Sequence, residues 1–482
     1  MSQLPQNWIR TRLDCISEIV LGQSPPSSTY NESGKGLPFY QGKLEFGKVY
    51  PVPKKWCSEP KKTAEKGDIL VSVRAPVGPT NICLEKSCIG RGLAAIRGFG
   101  GIETLFILYL LRANENVLAG KGTGTTFSAI SGEQLRSLEI PLPPLNEQRR
   151  IVGKVEELFS YLDAGVESLR KVQAQLKRCR QAVLKYAFEG KLTEEWRKTH
   201  KDQIEPAPKF LEKVKQDLKR ATPNKLAELG LNNESGFQEL PETWVWATIG
   251  ELETFIGSGI TPRGGRTVYV QEGIPFIRSQ NVYPDGLRLE EIAYVTPKMH
   301  DTMKRTKAYP NDVLLNITGA SIGRSAVIPE KLPEANVNQH VCIIRTGWWL
   351  IPAYLSHFLN SPIGQTQIFG TQSGVTRQGL NYEQVRRLKI PLAPLMEQNE
   401  IVTKIEATYT ATGQVEKTIR QNINHVEYLR QSILKDAFGG KLVPQDPDDE
   451  PAEKLLERIK AEHISNRTPK FSNQLELSRY VK

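Results

Sequence analysis

The sequence predicts an α+β chain written twice. Two mixed α/β domains are separated by two long helices that pair as an antiparallel coiled coil, the whole a tandem repeat with pseudo-twofold character. Three observations predict it. Residues 133–192 align with 383–442 at a constant offset of 250, without a gap and with 25 identities in 60 positions. In both copies the residues then change to a heptad period after a proline turn. Between the copies the chain diverges into short apolar runs bounded by Gly and Pro, the pattern of buried strands.

The elements follow in order. Residues 1–140 form the first α/β domain, with a strand expected at Asp68-Ile69-Leu70-Val71-Ser72-Val73 and a helix over 103–114. Residues 141–192 are the first helical spacer, 193–235 a partly helical linker, 236–390 the second α/β domain and 391–442 the second spacer. In the second domain, strands are expected at Asp312-Val313-Leu314-Leu315-Asn316-Ile317 and Val341-Cys342-Ile343-Ile344, and a helix over 352–360. The tail, 443–482, corresponds to the linker, because Glu205-Pro206-Ala207 recurs as Glu450-Pro451-Ala452. The start of the chain recurs too, Leu4-Pro5-Gln6-Asn7-Trp8 as Leu240-Pro241-Glu242-Thr243-Trp244.

Each spacer begins after a proline, Pro144 or Pro394, and ends at glycine, Gly190 or Gly439-Gly440. The first seam is expected at Ile151, Leu158, Gly165, Val172 and Cys179 alternating with Val155, Leu162, Leu169, Leu176 and Val183. The second is expected at Ile401, Thr408, Val415, Asn422 and Leu429 alternating with Ile405, Thr412, Ile419, Val426 and Ile433. Cys179 reads as a small buried residue and Asn422 as a register device. At about 1.5 Å per residue, 151–188 spans roughly 57 Å, more than one turn of a B-DNA duplex.

Composition narrows the function classes. The chain has 482 residues, 39% hydrophobic and 24% charged, enough apolar material for more than one core. Its longest apolar run, Leu105 to Leu111, is seven residues, which argues against a membrane span. Six cysteines without a Cys-x-x-Cys and a start without an apolar leader give the expectation of a cytoplasmic protein lacking a disulfide framework. The net charge of +11 is spread over the folded segments and attracts polyanions without selecting among them.

The domain loops are rich in Gly, Pro, Asn, Gln, Thr and Arg. Arg pairs bidentately with guanine, and Asn or Gln with adenine. By chemistry and loop position the candidate DNA contacts in the first domain are Gln41, Lys43, Arg74, Arg91 and Thr125. In the second they are Arg278, Gln280, Asn281, Arg324, Asn338, Gln339, His340, Thr376 and Arg377. The same residue types also form turns and backbone caps. Catalytic signatures fail. None of the seven Gly-Lys pairs is followed by Ser or Thr, so no P-loop is present, and Pro284-Asp285 is followed by no Asp/Glu-x-Lys. Cys57, Cys83 and Cys88 are poorly spaced for zinc. No catalytic residue and no metal site is expected.

At the paired boxes Ile140-Pro141-Leu142-Pro143-Pro144-Leu145-Asn146-Glu147-Gln148 and Ile390-Pro391-Leu392-Ala393-Pro394-Leu395-Met396-Glu397-Gln398 the chain resembles the specificity subunits of type I restriction-modification systems. The paired ends Ala187-Phe188-Glu189-Gly190-Lys191-Leu192 and Ala437-Phe438-Gly439-Gly440-Lys441-Leu442 strengthen the likeness, with Ala393 and Met396 loosening the second box. The resemblance covers nearly the whole chain and implies two target-recognition domains reading a split target on double-stranded DNA. It implies two methyltransferase subunits that flip adenines and use S-adenosylmethionine, and restriction subunits that use ATP and Mg, none of these cofactors being bound by this chain. The competing classes are a protein-interaction scaffold with two binding modules on a coiled coil, and a self-contained methyltransferase or nuclease, which the missing motifs disfavour.

Overall fold

The structure, a computed structural model, describes residues 4–122, 129–221, 238–262, 264–370 and 379–467. The chain divides into two compact units, Met1–Leu169 with Gln421–Lys482 and Arg170–Arg420. The cuts fall inside two helices of 44 residues each, Leu145–Phe188 and Leu395–Phe438. Each unit thus owns one α/β domain, the first half of the long helix that follows it, and the last half of the other long helix.

In the first unit a four-stranded sheet runs in the order Ser17–Leu21, Leu93–Gly98, Ile69–Ser72, Thr80–Ile82. A five-stranded sheet carries the parallel pair Leu37–Tyr40 and Ser87–Ile89. The strand Ile9–Arg12 closes the domain against Glu139–Leu142, whose Ile140 and Leu142 point into the core and whose Pro141 needs no ladder donor at this edge. The second unit repeats the plan. Its first sheet is ordered Glu253–Ser258, Val341–Thr346, Val313–Asn316, Ser325–Val327. Its second carries the parallel pair Ile274–Ile277 and Ala335–Val337, and Val245–Thr248 closes on Lys389–Leu392. The expected helices are Thr104–Ala113 and Pro352–Asn360. Asp68 and Asp312, each just before a central strand of its sheet, carry a shared device. Arg97 donates to both oxygens of Asp68 at 2.8 and 2.9 Å, and Arg345 to both of Asp312 at 2.7 Å.

The helix ends explain the boxes. Pro144 and Pro394 offer a carbonyl to the amides of Gln148 and Gln398 at 2.9 Å and lack the N–H that a first turn leaves unpaired. At the other ends Gly190 and Gly440 adopt φ of +73° and +70°, and the amides of Lys191 and Lys441 reach back to the carbonyls of Tyr186 and Asp436 at 2.9 Å. A Cβ at either glycine would also meet a proline, Pro241 at 2.5 Å or Pro5 at 2.3 Å. Behind the glycines, Phe188 packs on Tyr354 and Phe358, and Phe438 on Phe106. The linker and tail helices, Ala207–Ala221 and Ala452–Arg467, dock alike. The amides of Ala207 and Ala452 donate to the carbonyls of Thr243 and Asn7 at 2.9 and 3.1 Å.

The helical seam is half as expected. Val155, Ile405, Ile419 and Val426 are buried, and Leu162, Leu169, Leu176, Val183 and Ile433 half-buried. Ile151 and Ile401 are buried at the helix starts, and Leu158 is half-buried. The other row is displaced by one residue. Val172, Val415 and Leu429 are 38, 42 and 38% exposed, and Gly165, Cys179 and Asn422 are exposed as well. Their inward places are taken by Phe159, Val166, Gln173 and Arg180, and by Tyr409, Glu416, Ile423 and Arg430. Hydrophobicity alone misplaces this row because the inward side includes arginines whose charge is matched. In one unit Arg180 lies over the Tyr409 ring, 5.5 Å from its centroid, donates to Thr412 at 2.7 Å and meets Glu416 at 3.3 Å. In the other Arg430 lies over Phe159 at 4.7 Å and pairs with Asp163. Among the described residues no helix is long and apolar enough to cross a membrane.

Those aromatic rings also dock the domains on the helices. Tyr109 meets Phe159 edge-on at 5.6 Å, and His357 meets Tyr409 edge-on at 5.6 Å. His357 is buried, with no hydrogen-bond partner at either ring nitrogen among the described residues, and burial pushes its pKa down to about 4. An unfolded imidazole near 6.5 takes up a proton at a pH where the folded one does not. His357 stability is therefore fully present above about pH 6.5 and lost as pH falls towards about 4, on the order of 3 kcal/mol in total. We expect His357→Phe to flatten the difference in urea midpoint of the second unit between pH 7 and pH 4.5; an unchanged difference would contradict this.

Candidate nucleic-acid interface

In each domain most of the candidate residues lie on the loops that leave the parallel strand pair. In the first, Gln41 and Lys43 follow the strand Leu37–Tyr40, Arg91 follows Ser87–Ile89, and Arg74 follows Ile69–Ser72. All four line one open cleft of about 700 Å³, together with Ser24 and Leu44. Its walls are fixed by backbone. Gly90 donates to the carbonyl of Tyr40 at 2.8 Å, Val73 to Gly92 at 2.9 Å, and Ser24 Oγ accepts the Arg91 amide at 3.2 Å. A Cβ on Gly92 would stand 2.2 Å from the Gln41 carbonyl, so the glycine that follows Arg91 is needed for this close approach. Lys43, Arg74 and Arg91 are exposed, and among the described residues none of them forms an ion pair. With Glu45, the one carboxylate lining the cleft, bonded to the backbone amides of Gln41 and Gly42, three cations against one acid leave an anion-attracting surface.

The second domain builds the corresponding place with other side chains. Asn338 donates its amide to the carbonyl of Ile277 at 3.0 Å, matching Gly90 on Tyr40. Ile317 donates to the His340 carbonyl at 2.9 Å, and the His340 ring bonds Thr318 Oγ1. Gln280 and Gln339 are exposed. Arg324 and Arg288 lie over the Tyr283 ring at 4.8 and 4.7 Å. Arg278 is half-buried, donates to the Glu291 carbonyl at 3.3 Å and lies near the Tyr269 ring at 5.9 Å.

Two expected contacts are corrected. Asn281 is 2% exposed, and its side chain accepts the Arg278 amide at 3.0 Å and donates to the Arg288 carbonyl at 3.0 Å, so it is a turn former with no donor or acceptor facing out. Asn338 is 8% exposed and accepts the His340 amide at 3.2 Å, the capping role that asparagine shares with base contact. Thr125, Thr376 and Arg377 lie outside the described residues. The structure adds Leu44, which composition did not point to.

The boxes hold these domains to their helices through buried acids. Glu147 accepts from the Trp8 indole at 2.9 Å and from Gln445 at 2.7 Å. Glu397 accepts from the Trp244 indole at 2.8 Å, Thr193 at 2.6 Å and Arg197 at 2.9 Å. Burial raises the Glu147 pKa against the lowering effect of its donors. Arg150 and Asp449 close the first junction at 2.6 Å. Among the described residues no three His, Cys, Asp or Glu converge to hold a metal.

The comparisons with known proteins agree with this layout. The model of the type I restriction modification DNA specificity domain matches residues 5–178 and again 241–425. A Methanocaldococcus jannaschii protein described as the type I restriction enzyme MjaX specificity subunit is 38% identical over 195 residues, covering 40% of this chain and 45% of that protein. The Escherichia coli type I restriction enzyme EcoBI specificity subunit is 27% identical over 494 residues, 97% of this chain and 95% of its own. Among solved structures, one concerned with complex assembly and conformational transition of the type I R-M system matches in fold with a TM-score of 0.60 at 21% identity, over 92% of this chain and 100% of that one.

Proposed function

The chain belongs to the family of type I restriction-modification specificity subunits, whose role is recognition of the DNA target, and on that premise we propose that its two domains read the two halves of a split target. The observation that carries the proposal is the pairing of a repeated frame with unlike loops. The same Trp–Glu and Asp–Arg contacts recur in both units, while the side chains facing out from equivalent strand ends differ. Lys43, Arg74 and Arg91 supply phosphate attraction in the first domain, and exposed amides and arginines supply direct readout in both.

The catalytic work is assigned to partners. Two methyltransferase subunits would bind and use S-adenosylmethionine to modify flipped adenines, and restriction subunits would use ATP and Mg. This chain supplies position, in the cytoplasm, and no catalytic group. The long helices would fix the number of unspecified base pairs between the half-sites. Binding of duplex by the assembled complex is expected to weaken with salt, by about 0.9 in log–log slope per phosphate neutralised. Arg74→Ala should lower that slope by about one or relax a single base position. A complex indifferent to salt and sequence would instead point to a protein scaffold. Adding one helical turn to both long helices should change the spacer and leave the half-sites intact; altered half-sites with an unchanged spacer would contradict the ruler role.

A further inference from the structure

The two domains place different side chains at one shared position, the tip of the turn that follows the first strand of the parallel pair. In the first domain the strand Leu37–Tyr40 is followed by a single 3-10 turn, Lys43–Glu45. In the second the strand Ile274–Ile277 is followed by another, Ser279–Asn281. Both turns are locked the same way. Glu45 accepts the amides of Gly42 and Gln41 at 3.1 and 3.3 Å, and Asn281 accepts the amide of Arg278 at 3.0 Å. The second turn is also held from below, where Asn316 donates to the Ser279 carbonyl at 2.8 Å.

The middle residue of each locked turn points out. In the first it is Leu44, 87% exposed, the most exposed large hydrophobic side chain among the described residues. In the second it is Gln280, also exposed. A single exposed leucine on a surface is ordinary. This one is different in its setting. It is held by a fixed turn and lines the same cleft as Arg74, Arg91 and Lys43, which form no ion pair among the described residues, and as Glu45, whose carboxylate is bonded to the turn's own amides. An apolar side chain beside cations is suited to the one apolar feature of a base edge, the thymine methyl. A glutamine at the same place is suited to the paired donor and acceptor of adenine.

We propose that the turn-tip residues Leu44 and Gln280 are base-specifying residues at equivalent positions of the two domains, Leu44 reading the methyl of a thymine and Gln280 the N6/N7 edge of an adenine. The assignment rests on the DNA-reader function proposed above.

The test uses the chain assembled with its methyltransferase subunits and duplexes bearing its mapped target. Replacing the contacted thymine by deoxyuridine removes one methyl group and should weaken binding about four-fold in the wild type. Leu44→Ala should bind thymine and deoxyuridine duplexes equally. Gln280→Leu should lose between about 5- and 140-fold at one adenine of the other half-site and keep the thymine sensitivity of the first. Both substitutions are at exposed turn tips, so assembly with the partner subunits should be unchanged. A wild-type complex that selects its target, yet shows the same response to deoxyuridine as Leu44→Ala, overturns the Leu44 assignment. Unaltered base preference in Gln280→Leu overturns the second. A wild-type complex that does not distinguish its target from random duplex sinks the reader function itself.

Discussion

Exchanging residues 236–390 for the corresponding domain of another family member is expected to change one half of the methylated target completely and leave the other half as it was. The second domain has its own core. Val313, Leu315, Cys342 and Ile344 pack with Tyr354, Leu355 and Phe358, and the first domain has a separate one built on Ile69, Val71, Ala94 and Phe106. The exchanged segment meets its frame through several contacts, among them the pairing of Val245–Thr248 with Lys389–Leu392, the Trp244–Glu397 bond, the packing of Tyr354 and Phe358 on Phe188, the Gln398 bonds to Trp349 and Ile351 and the His357–Tyr409 contact. A replacement that keeps these should fold. Each base pair wrongly matched costs about 1–3 kcal/mol, so a complex carrying the exchanged domain should abandon the old half-site altogether. Mapping of modified adenines before and after the exchange reads the result. A change in both halves would show that the domains do not read independently.

Glu397→Ala is expected to destabilise the second unit by about 3–5 kcal/mol, the largest effect of any single substitution at the junctions. Glu397 is fully buried. Its removal leaves the Trp244 indole, the Thr193 hydroxyl and the Arg197 guanidinium, whose side chain is 16% exposed, without their acceptor. Glu147→Ala, its counterpart, removes an acceptor only from the neutral donors Trp8 and Gln445 and should cost about 1–3 kcal/mol. Hydrogen exchange distinguishes the two, because amides of Pro352–Asn360 should lose protection in Glu397→Ala and those of Thr104–Ala113 in Glu147→Ala. Equal losses in both variants would mean that the arginine in the second junction carries no weight.

The features that sequence could reveal were those repeated by covalent spacing. The 250-residue offset, the proline starts and the glycine ends are local and survive in both copies. The seam was legible only where apolar residues make it. Arg180 and Arg430 face inward because Tyr409 and Phe159 offer ring faces and Glu416 and Asp163 offer charge, and no hydrophobic period registers such a match. In the loops the sequence names residue types and leaves their roles to the fold. Gln41, Lys43, Arg74 and Arg91 come together because strand order brings three distant loops to one cleft. Asn281 and Asn338 carry the same side chain that reads adenine, but spend it on neighbouring backbone amides. Leu44 was silent in sequence, since a leucine between Lys and Glu reads as an ordinary core residue until the turn around it is seen.

The most direct measurement is the pattern of modified adenines in the genome of a cell that carries this chain with its partner subunits. Two short runs of defined bases flanking a fixed length of unspecified sequence, with an adenine modified in each run, is the predicted outcome. A single uninterrupted motif, or modification without any shared sequence, would contradict two readers on one polypeptide.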